Sequence, residues 1–551
     1  MVAQIWKALP VLAVVGSAFG QLPALADDLQ TITLQDGISL RYKEPGICET
    51  TEGVKSYSGF IDIAEDKHIF FWFFQSRRDP ASDPITLWLN GGPGADAMGG
   101  LFEELGPCSI NEELSTEPNP NAWNELSNML FMSQPVGVGF SYGTTEDFSM
   151  DVSTTTGDAD APPIVGRFPD ADYMAVNSTE TAAVDAWKAV QAFYAALPEI
   201  DPVVESKTFH LATQSYGGHW GPGFFNYFRK QNELVSGDGD SQGVRLELGT
   251  LTIINGMTDA RLQYPSYPKF ALNNTHGVEV NETVAAYMEF SLDMEVNGCL
   301  ALIDVCGETW ALTNGTTLSG NMVCNEANAV CRRTVELPYY AYGNPGDTYD
   351  MRNATEFPPP PGLFSAYLNL AEVQQALGVS TNYTGSVNTE VTAAFWFTGD
   401  HANPKLLREL EELLDAGVRV ALWYGDSDYV CNWYGGEALS LGLNYTGIEE
   451  FRSAGYTPLL VDGTNYGDTR EYANFSFTRV FDAGHAVPYY QPEAALAMFN
   501  RTINGWDTAT GEERITEDYA TVGDAESRYN QKEERENANA KRALKSAKFR
   551  F

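Results

Sequence analysis

Two hydrophobic rhythms take turns along this chain, and their order predicts its architecture. Runs with strand character occur at residues 58–63, 68–74, 85–89, 129–132, 207–212, 418–424 and 475–481, the first two as arms of a hairpin. Helical periodicity occupies 179–197, 222–230, 404–416 and 492–502. Strands alternating with helices imply an α/β fold whose mostly parallel central sheet is flanked by helices. Two strands run straight into tight glycine-rich turns, Asn90-Gly91-Gly92-Pro93-Gly94 and Gln134-Pro135-Val136-Gly137-Val138-Gly139. Residues 143–172 are acidic, threonine-rich and proline-containing, and read as a long surface loop.

The rhythm breaks at about 232–362, a stretch rich in cysteine and N-x-S/T sequons that reads as an inserted cap closed by Pro358 to Pro361. Beyond Gly505 the chain turns polar, and 511–551 reads as a charged tail, solvated helix or disordered. At the other end, Lys7, an apolar stretch over 8–20 and Ala24-Leu25-Ala26 form the pattern of a secretory signal over 1–26. That apolar stretch is too short to span a bilayer, and no other run of 18 apolar residues occurs. The remainder, 27–510, is expected to be a single domain.

Composition sharpens this picture. A 43% apolar content, with 12% aromatics, is ample for a large core. The net charge of −40 argues against nucleic acid as a partner and suits an acidic medium, where protonation relieves self-repulsion. Seven cysteines suit an oxidising compartment. Their spacing suggests Cys299 with Cys331 around Cys306 with Cys324, then Cys48 with Cys108, leaving Cys431 free; other pairings stay open. Sequons at Asn177, Asn273, Asn281, Asn314, Asn353, Asn382, Asn444, Asn474 and Asn500 are glycosylation candidates and point to secretion, with the vacuole as the alternative.

The most informative hexapeptide is Thr213-Gln214-Ser215-Tyr216-Gly217-Gly218, between a strand-like and a helix-like run. It resembles a nucleophile elbow, G-x-S-x-G, with Thr213 in place of the first glycine. A serine hydroxyl needs a base, and the base an orienting carboxylate. Of six histidines, His485 sits in the loop Asp482-Ala483-Gly484-His485-Ala486-Val487-Pro488 after a strand and before a helix. Asp428 lies in Gly425-Asp426-Ser427-Asp428, where the preceding strand ends. The order Ser215, Asp428, His485 is that of α/β-hydrolases. No histidine pattern suggests a metal site, and no cofactor is expected.

Taken together, Trp88-Leu89-Asn90-Gly91-Gly92-Pro93-Gly94, Glu104-Leu105-Gly106-Pro107, Gln134 to Tyr142, Ser215-Tyr216-Gly217-Gly218, Tyr424 to Trp433 and Gly484-His485-Ala486-Val487-Pro488 resemble the serine carboxypeptidase family over about 56–504. The resemblance implies an α/β-hydrolase fold, peptide or protein substrates with a free C-terminus, Ser215 as nucleophile, His485 as base and Asp428 as its orienter. It implies an oxyanion hole from the amides of Gly92 and Tyr216, and a pocket for the substrate carboxylate from Asn90, Gly91, Glu104 and Gln214. It further implies that Glu103, Ala486 and Cys431 line specificity pockets. An acidic Glu103 beside a small Ala486 favours C-terminal Lys or Arg.

Two departures stand out. Gln214 occupies a position where many relatives carry glutamate, and Ala95-Asp96 replaces the usual Cys-Ser. A glutamine amide donates hydrogen bonds at any pH, which predicts activity closer to neutrality. The rival readings are an acyltransferase or esterase using the same acyl-enzyme, and a catalytically silent binding protein on the same fold.

Overall fold

The computed structural model describes residues 22–150, 164–235, 243–313, 317–343, 348–352 and 354–527. Most of the expected signal segment, Asn314, Asn353 and residues 528–551 of the tail lie outside these. The chain forms two compact units: Met1–Leu251 with Pro360–Phe397, and Thr252–Pro359 with Thr398–Phe551.

Strands of the first unit are β1 (Gln30–Thr33), β2 (Ser39–Lys43), β3 (Ser56–Ala64), β4 (Lys67–Phe74), β5 (Ile85–Leu89), β6 (Cys108–Ile110), β7 (Thr116–Pro118), β8 (Asn128–Met132), β9 (Thr144–Met150), β10 (Ile164–Asp170), β11 (Thr208–Gln214) and β12 (Glu247–Ile254), in which the chain crosses to the second unit. Its main sheet has the order β1-β2-β3-β4-β8-β5-β11-β12. Hairpins make the β1 to β4 side antiparallel, while β8, β5 and β11 run parallel.

Strand β4 shows why the centre carries no polar alternation. Phe70, Phe71, Trp72, Phe73 and Phe74 are all fully buried, because helices and loops cover both faces. Phe71 and Phe73 meet Phe193 of the helix Thr179–Ile200, whereas Trp72 meets Phe102 on the opposite face. That helix opens with a capping box at Ser178 and Thr181. The helix Gly217–Val235 packs Phe225 and Phe228 on Phe209 of β11.

In the second unit β13 (Arg419–Gly425), β14 (Thr457–Val461), β15 (Thr464–Tyr472) and β16 (Phe475–Val480) form the order β13-β16-β15-β14, with β13 and β16 parallel. The helix Lys405–Asp415 buries Leu406, Leu410, Leu413 and Leu414, one leucine face at helical spacing. Helices Cys299–Thr313 and Leu318–Cys331 are cross-linked by Cys299–Cys331 and Cys306–Cys324; in the first unit Cys48 pairs with Cys108, and Cys431 is buried outside these disulfides.

Four expectations need correction. The segment 143–172 contains the antiparallel arms β9 and β10, whose half-exposed, polar faces hid their strand character. The span 232–362 is not all insertion, since it contains β12, whose Thr250-Leu251-Thr252-Ile253-Ile254 run is buried. The helix after Ser215 starts at Gly217, five residues before Pro222. Residues 506–527 of the polar C-terminal stretch are neither helical nor free: Thr521, Asp524 and Ala509 exchange backbone hydrogen bonds with Glu471, Tyr456 and Leu460 around β14 and β15.

Candidate active site

Ser215 sits between β11 and the helix Gly217–Val235 with φ of +65°, in the left-handed region that a residue with a Cβ rarely adopts. Such strain persists only where surroundings enforce it. Here the amides of Gly218 and His219 donate to the carbonyls of Ser215 and Tyr216, starting the helix at once. Gly91 explains its own identity: a Cβ there would stand 2.2 Å from Tyr216 N and 2.7 Å from Ser215 Cβ. The Gly91-Gly92 turn therefore lies directly against the elbow.

Behind the turn runs a chain of amides. Trp88 Nε1 and Gly100 N donate to Asn90 Oδ1, at 2.8 and 3.0 Å. Asn90 Nδ2 donates to Gln214 Oε1 at 2.8 Å, and Gln214 Nε2 donates to both oxygens of buried Glu104, at 3.0 and 2.8 Å. These bonds set the orientation of the Gln214 amide. They join three of the residues expected to share one role, Asn90, Glu104 and Gln214, and the fourth, Gly91, lies against the Gln214 carbonyl.

In the second unit His485 Nδ1 lies 2.6 Å from Asp428 Oδ2. An ionised carboxylate only accepts, so the proton belongs on Nδ1, which leaves Nε2 as the basic nitrogen. Asp428 is fully buried, and Asn255 Nδ2 donates to the same Oδ2 at 2.9 Å. The loop carrying His485 is tied by its amide to Tyr349 O at 2.7 Å, with the Tyr349 ring 4.8 Å from the imidazole. Thus Asp428 and His485 form a hydrogen-bonded couple, and Ser215 a strained elbow.

A family model for serine carboxypeptidases matches residues 45–505. The chain belongs to the serine carboxypeptidase family. It is 40% identical over 510 residues to carboxypeptidase S1 homolog B of Arthroderma otae, covering 86% of this chain and 77% of that protein. It is 35% identical to carboxypeptidase S1 of Penicillium janthinellum, covering 84% and 98% respectively. The crystal structure of Kex1(delta)p, a prohormone-processing carboxypeptidase from Saccharomyces cerevisiae, superposes with a TM-score of 0.59 at 20% identity, covering 88% of this chain and 94% of that one. The fold is the α/β-hydrolase fold, and the protein is a serine-type carboxypeptidase acting on peptides. No helix among the described residues is long and apolar enough to cross a membrane.

This serine carboxypeptidase supports its Asp428 loop on buried charge. Asp426 is surrounded by His276 Nε2 at 3.2 Å, Arg479 Nη2 at 3.4 Å and the amide of Asp482 at 3.0 Å. Burial works to raise the Asp426 carboxyl, but His276, Arg479 and Arg352 outweigh it and hold the group below the usual carboxylate range. Arg352 forks onto Asp350 and donates to the carbonyl of Asp482. Both loops of the couple are thereby fastened to one charged cluster.

The specificity candidates divide. Glu103, in the helical stretch that also carries Glu104, accepts from the amide of Gly362, and burial pushes its carboxyl up to about 7. Ala486 follows His485 and is buried at 9% exposure. Cys431 is buried, and its thiol lies with ligand atoms of Asp428 and His485 within 4.8 Å of one another. Of the sequons, Asn382 cannot carry a glycan in this fold: it is fully buried, accepts from Arg167 N and donates to Asn369. Asn474 is also engaged, donating to Leu414 O and Val418 O. Asn273, Asn281, Asn444 and Asn500 are exposed.

Sequence reasoning missed Asn255. Its φ is +44°, its amide contacts Asp428 and Cys431 O, and its Oδ1 accepts from Gly425 N. The available signal was Asn255-Gly256 ending a β-branched run, a pair that tolerates left-handed backbone.

Proposed function

We propose that this carboxypeptidase releases C-terminal amino acids through an acyl-enzyme on Ser215. The observation that carries the reading is the strained Ser215 elbow pressed against the Gly91-Gly92 turn. Ser215 Oγ attacks the last peptide carbonyl while His485 Nε2 takes its proton, with Asp428 holding the imidazolium. The same proton passes to the departing amino group, the C–N bond breaks, and water attacks the acyl-enzyme with His485 again as base. The amides of Gly92 and Tyr216 stabilise the tetrahedral oxyanion, a contribution of roughly 3–4 kcal/mol per donor.

The substrate's free carboxylate is taken by Asn90, Gly91, Glu104 and Gln214. Glu104 donates to it only when protonated, so binding favours acid. Gln214 acts through Glu104: because it donates to Glu104 and cannot ionise, the pair carries one titrating carboxyl where a Glu–Glu pair would carry two. Loss of substrate binding above neutrality is therefore limited to one added charge.

Glu103 gives a preference for C-terminal Lys or Arg that grows with pH, since burial keeps it uncharged up to about 7 in the free protein. Three disulfides and the acidic surface fit secretion into an acidic medium.

The test is hydrolysis of N-blocked dipeptides with free and amidated C-termini between pH 4 and 7.5. Release of the last residue from free acids alone supports the reading. Cleavage of simple esters without that release would move it to an esterase or acyltransferase.

A further inference from the structure

Asp96 is 1% exposed, and its side-chain partners among the described residues are the hydroxyls of Ser133 and Tyr383. Its carboxyl group pairs with Ser133 Oγ at 2.7 Å through Oδ1 and with Tyr383 OH at 2.7 Å through Oδ2. Burying a carboxyl against neutral donors is costly unless every lone pair is used. The site is built around it: a Cβ on Gly139, whose φ is +58°, would lie 2.2 Å from Asp96 Oδ2.

The three elements joined here are far apart in sequence. Asp96 ends the turn that begins at Gly91 and opens the helical stretch bearing Glu103 and Glu104. Ser133 follows β8 and leads into Gln134 to Tyr142, a motif the reaction chemistry leaves without a role. Tyr383 opens a segment that grips the turn repeatedly. Asp96 N donates to Ser386 O at 2.9 Å, Asn388 N to Gly94 O at 2.9 Å, and Thr392 Oγ1 to Pro93 O at 2.6 Å. The same segment reaches the second glycine turn, with Asn388 Nδ2 donating to Gly137 O and Thr384 Oγ1 to Gly139 O. Asn90 and Gly91, by contrast, are held by Trp88, Gly100 and the elbow.

We propose that Asp96, Tyr383 and Ser133 form a clamp that fixes the turn at 92–96, and with it the Gly92 amide, in the position from which it binds the oxyanion. Asp96 and Tyr383 are then positioning residues, doing with hydrogen bonds what a cross-link would do covalently. The inference rests on the assignment of Gly92 to the oxyanion hole. It predicts an effect on turnover that exceeds the effect on binding, because the carboxylate pocket has its own supports.

The experiment compares Tyr383→Phe, Ser133→Ala, Asp96→Asn and Asp96→Ala in the full chain. Steady-state kinetics on a blocked free-acid dipeptide are paired with hydrogen exchange over peptides covering 91–97, 208–214 and 383–392. Tyr383→Phe is expected to lower kcat roughly 10-fold and Asp96→Ala about 100-fold, as displacement of a catalytic group by about 1 Å does. KM should stay within about two-fold, and exchange should rise in 91–97 and not in 208–214. Should Asp96→Ala fail to fold, the single-hydroxyl deletions carry the test. Folded variants with the wild-type kcat and wild-type exchange in 91–97 would overturn the clamp. Failure of the wild-type protein to release C-terminal residues would overturn the functional assignment instead, and exchange would still decide the clamp.

Discussion

Glu103 and Asp426 are both acids drawn out of solvent, one in each unit, and their surroundings push them in opposite directions. Around Glu103 there is burial and a single backbone amide, so its carboxyl rises to about 7. Around Asp426 there is full burial plus His276, Arg479 and Arg352, so its carboxyl falls. The contrast extends to the supports of each region. Around the elbow the first unit holds its turns with neutral donors, as in Asn90–Gln214–Glu104 and the Asp96 cluster. The second holds its loops with balanced charge, Asp426 with His276 and Arg479, and Asp350 with Arg352. Burial alone therefore does not decide how an acid behaves; its nearest cations do.

The comparison can be broken most forcefully at the reacting groups. Ser215→Ala and His485→Ala should each reduce kcat by roughly 10⁴–10⁶-fold; Ser215→Ala should leave the thermal transition in place, whereas His485→Ala also removes a partner of buried Asp428 and should lower it. Asp428→Asn should cost about 10⁴-fold by favouring the wrong imidazole tautomer. Next in size, Asp426→Asn leaves Arg479 and His276 facing a neutral amide. Urea unfolding at pH 6 should show a loss of about 3–5 kcal/mol. Asp426's lowered carboxyl stabilises the fold above the ordinary aspartate range and loses that effect as pH falls through its folded value. The gap between variant and wild type should consequently narrow in strong acid.

Smaller effects sharpen the contrast within the first unit. Gln214→Glu adds a second titrating carboxyl beside Glu104, so KM for free-acid peptides should climb more steeply above pH 5 than in the wild type; equal slopes would remove the role given to Gln214. Glu103→Gln should act on stability with the sign opposite to Asp426. A carboxyl raised from 4.5 to about 7 gives the folded state an extra proton between those values. Its stabilising effect is full below 4.5 and is lost as pH rises to 7. The thermal midpoint of the wild type should fall more over that window than that of the variant.

What could be read from the sequence was what is local. The elbow, the Asp428 turn and the His485 loop each lie within a few residues of a strand end, and hydrophobic runs marked β3, β4, β5, β8, β11, β13 and β16. The strands β9, β10 and β15 escaped because polar residues interrupt their apolar pattern, and β14 because Pro458 sits inside a run of only five residues. The supports of the site escaped for a different reason. Tyr383 meets Asp96 across 287 positions and Gln214 meets Glu104 across 110, separations over which spacing carries no signal. Asp96 could be recognised as a departure without its purpose being visible.

The polar stretch after Gly505 has a consequence for solubility. The match to the family model ends at residue 505, and the chain continues to bond Leu460, Tyr456 and Glu471 from Ala509, Asp524 and Thr521. Strand β14 closes one side of its sheet, and an uncovered outer strand is a template for pairing with another copy. Residues 506–527 act as a sheath over that margin. A chain cut after Gly505 should keep its peptidase chemistry yet self-associate through β14, which light scattering of the truncated protein against the full chain would reveal.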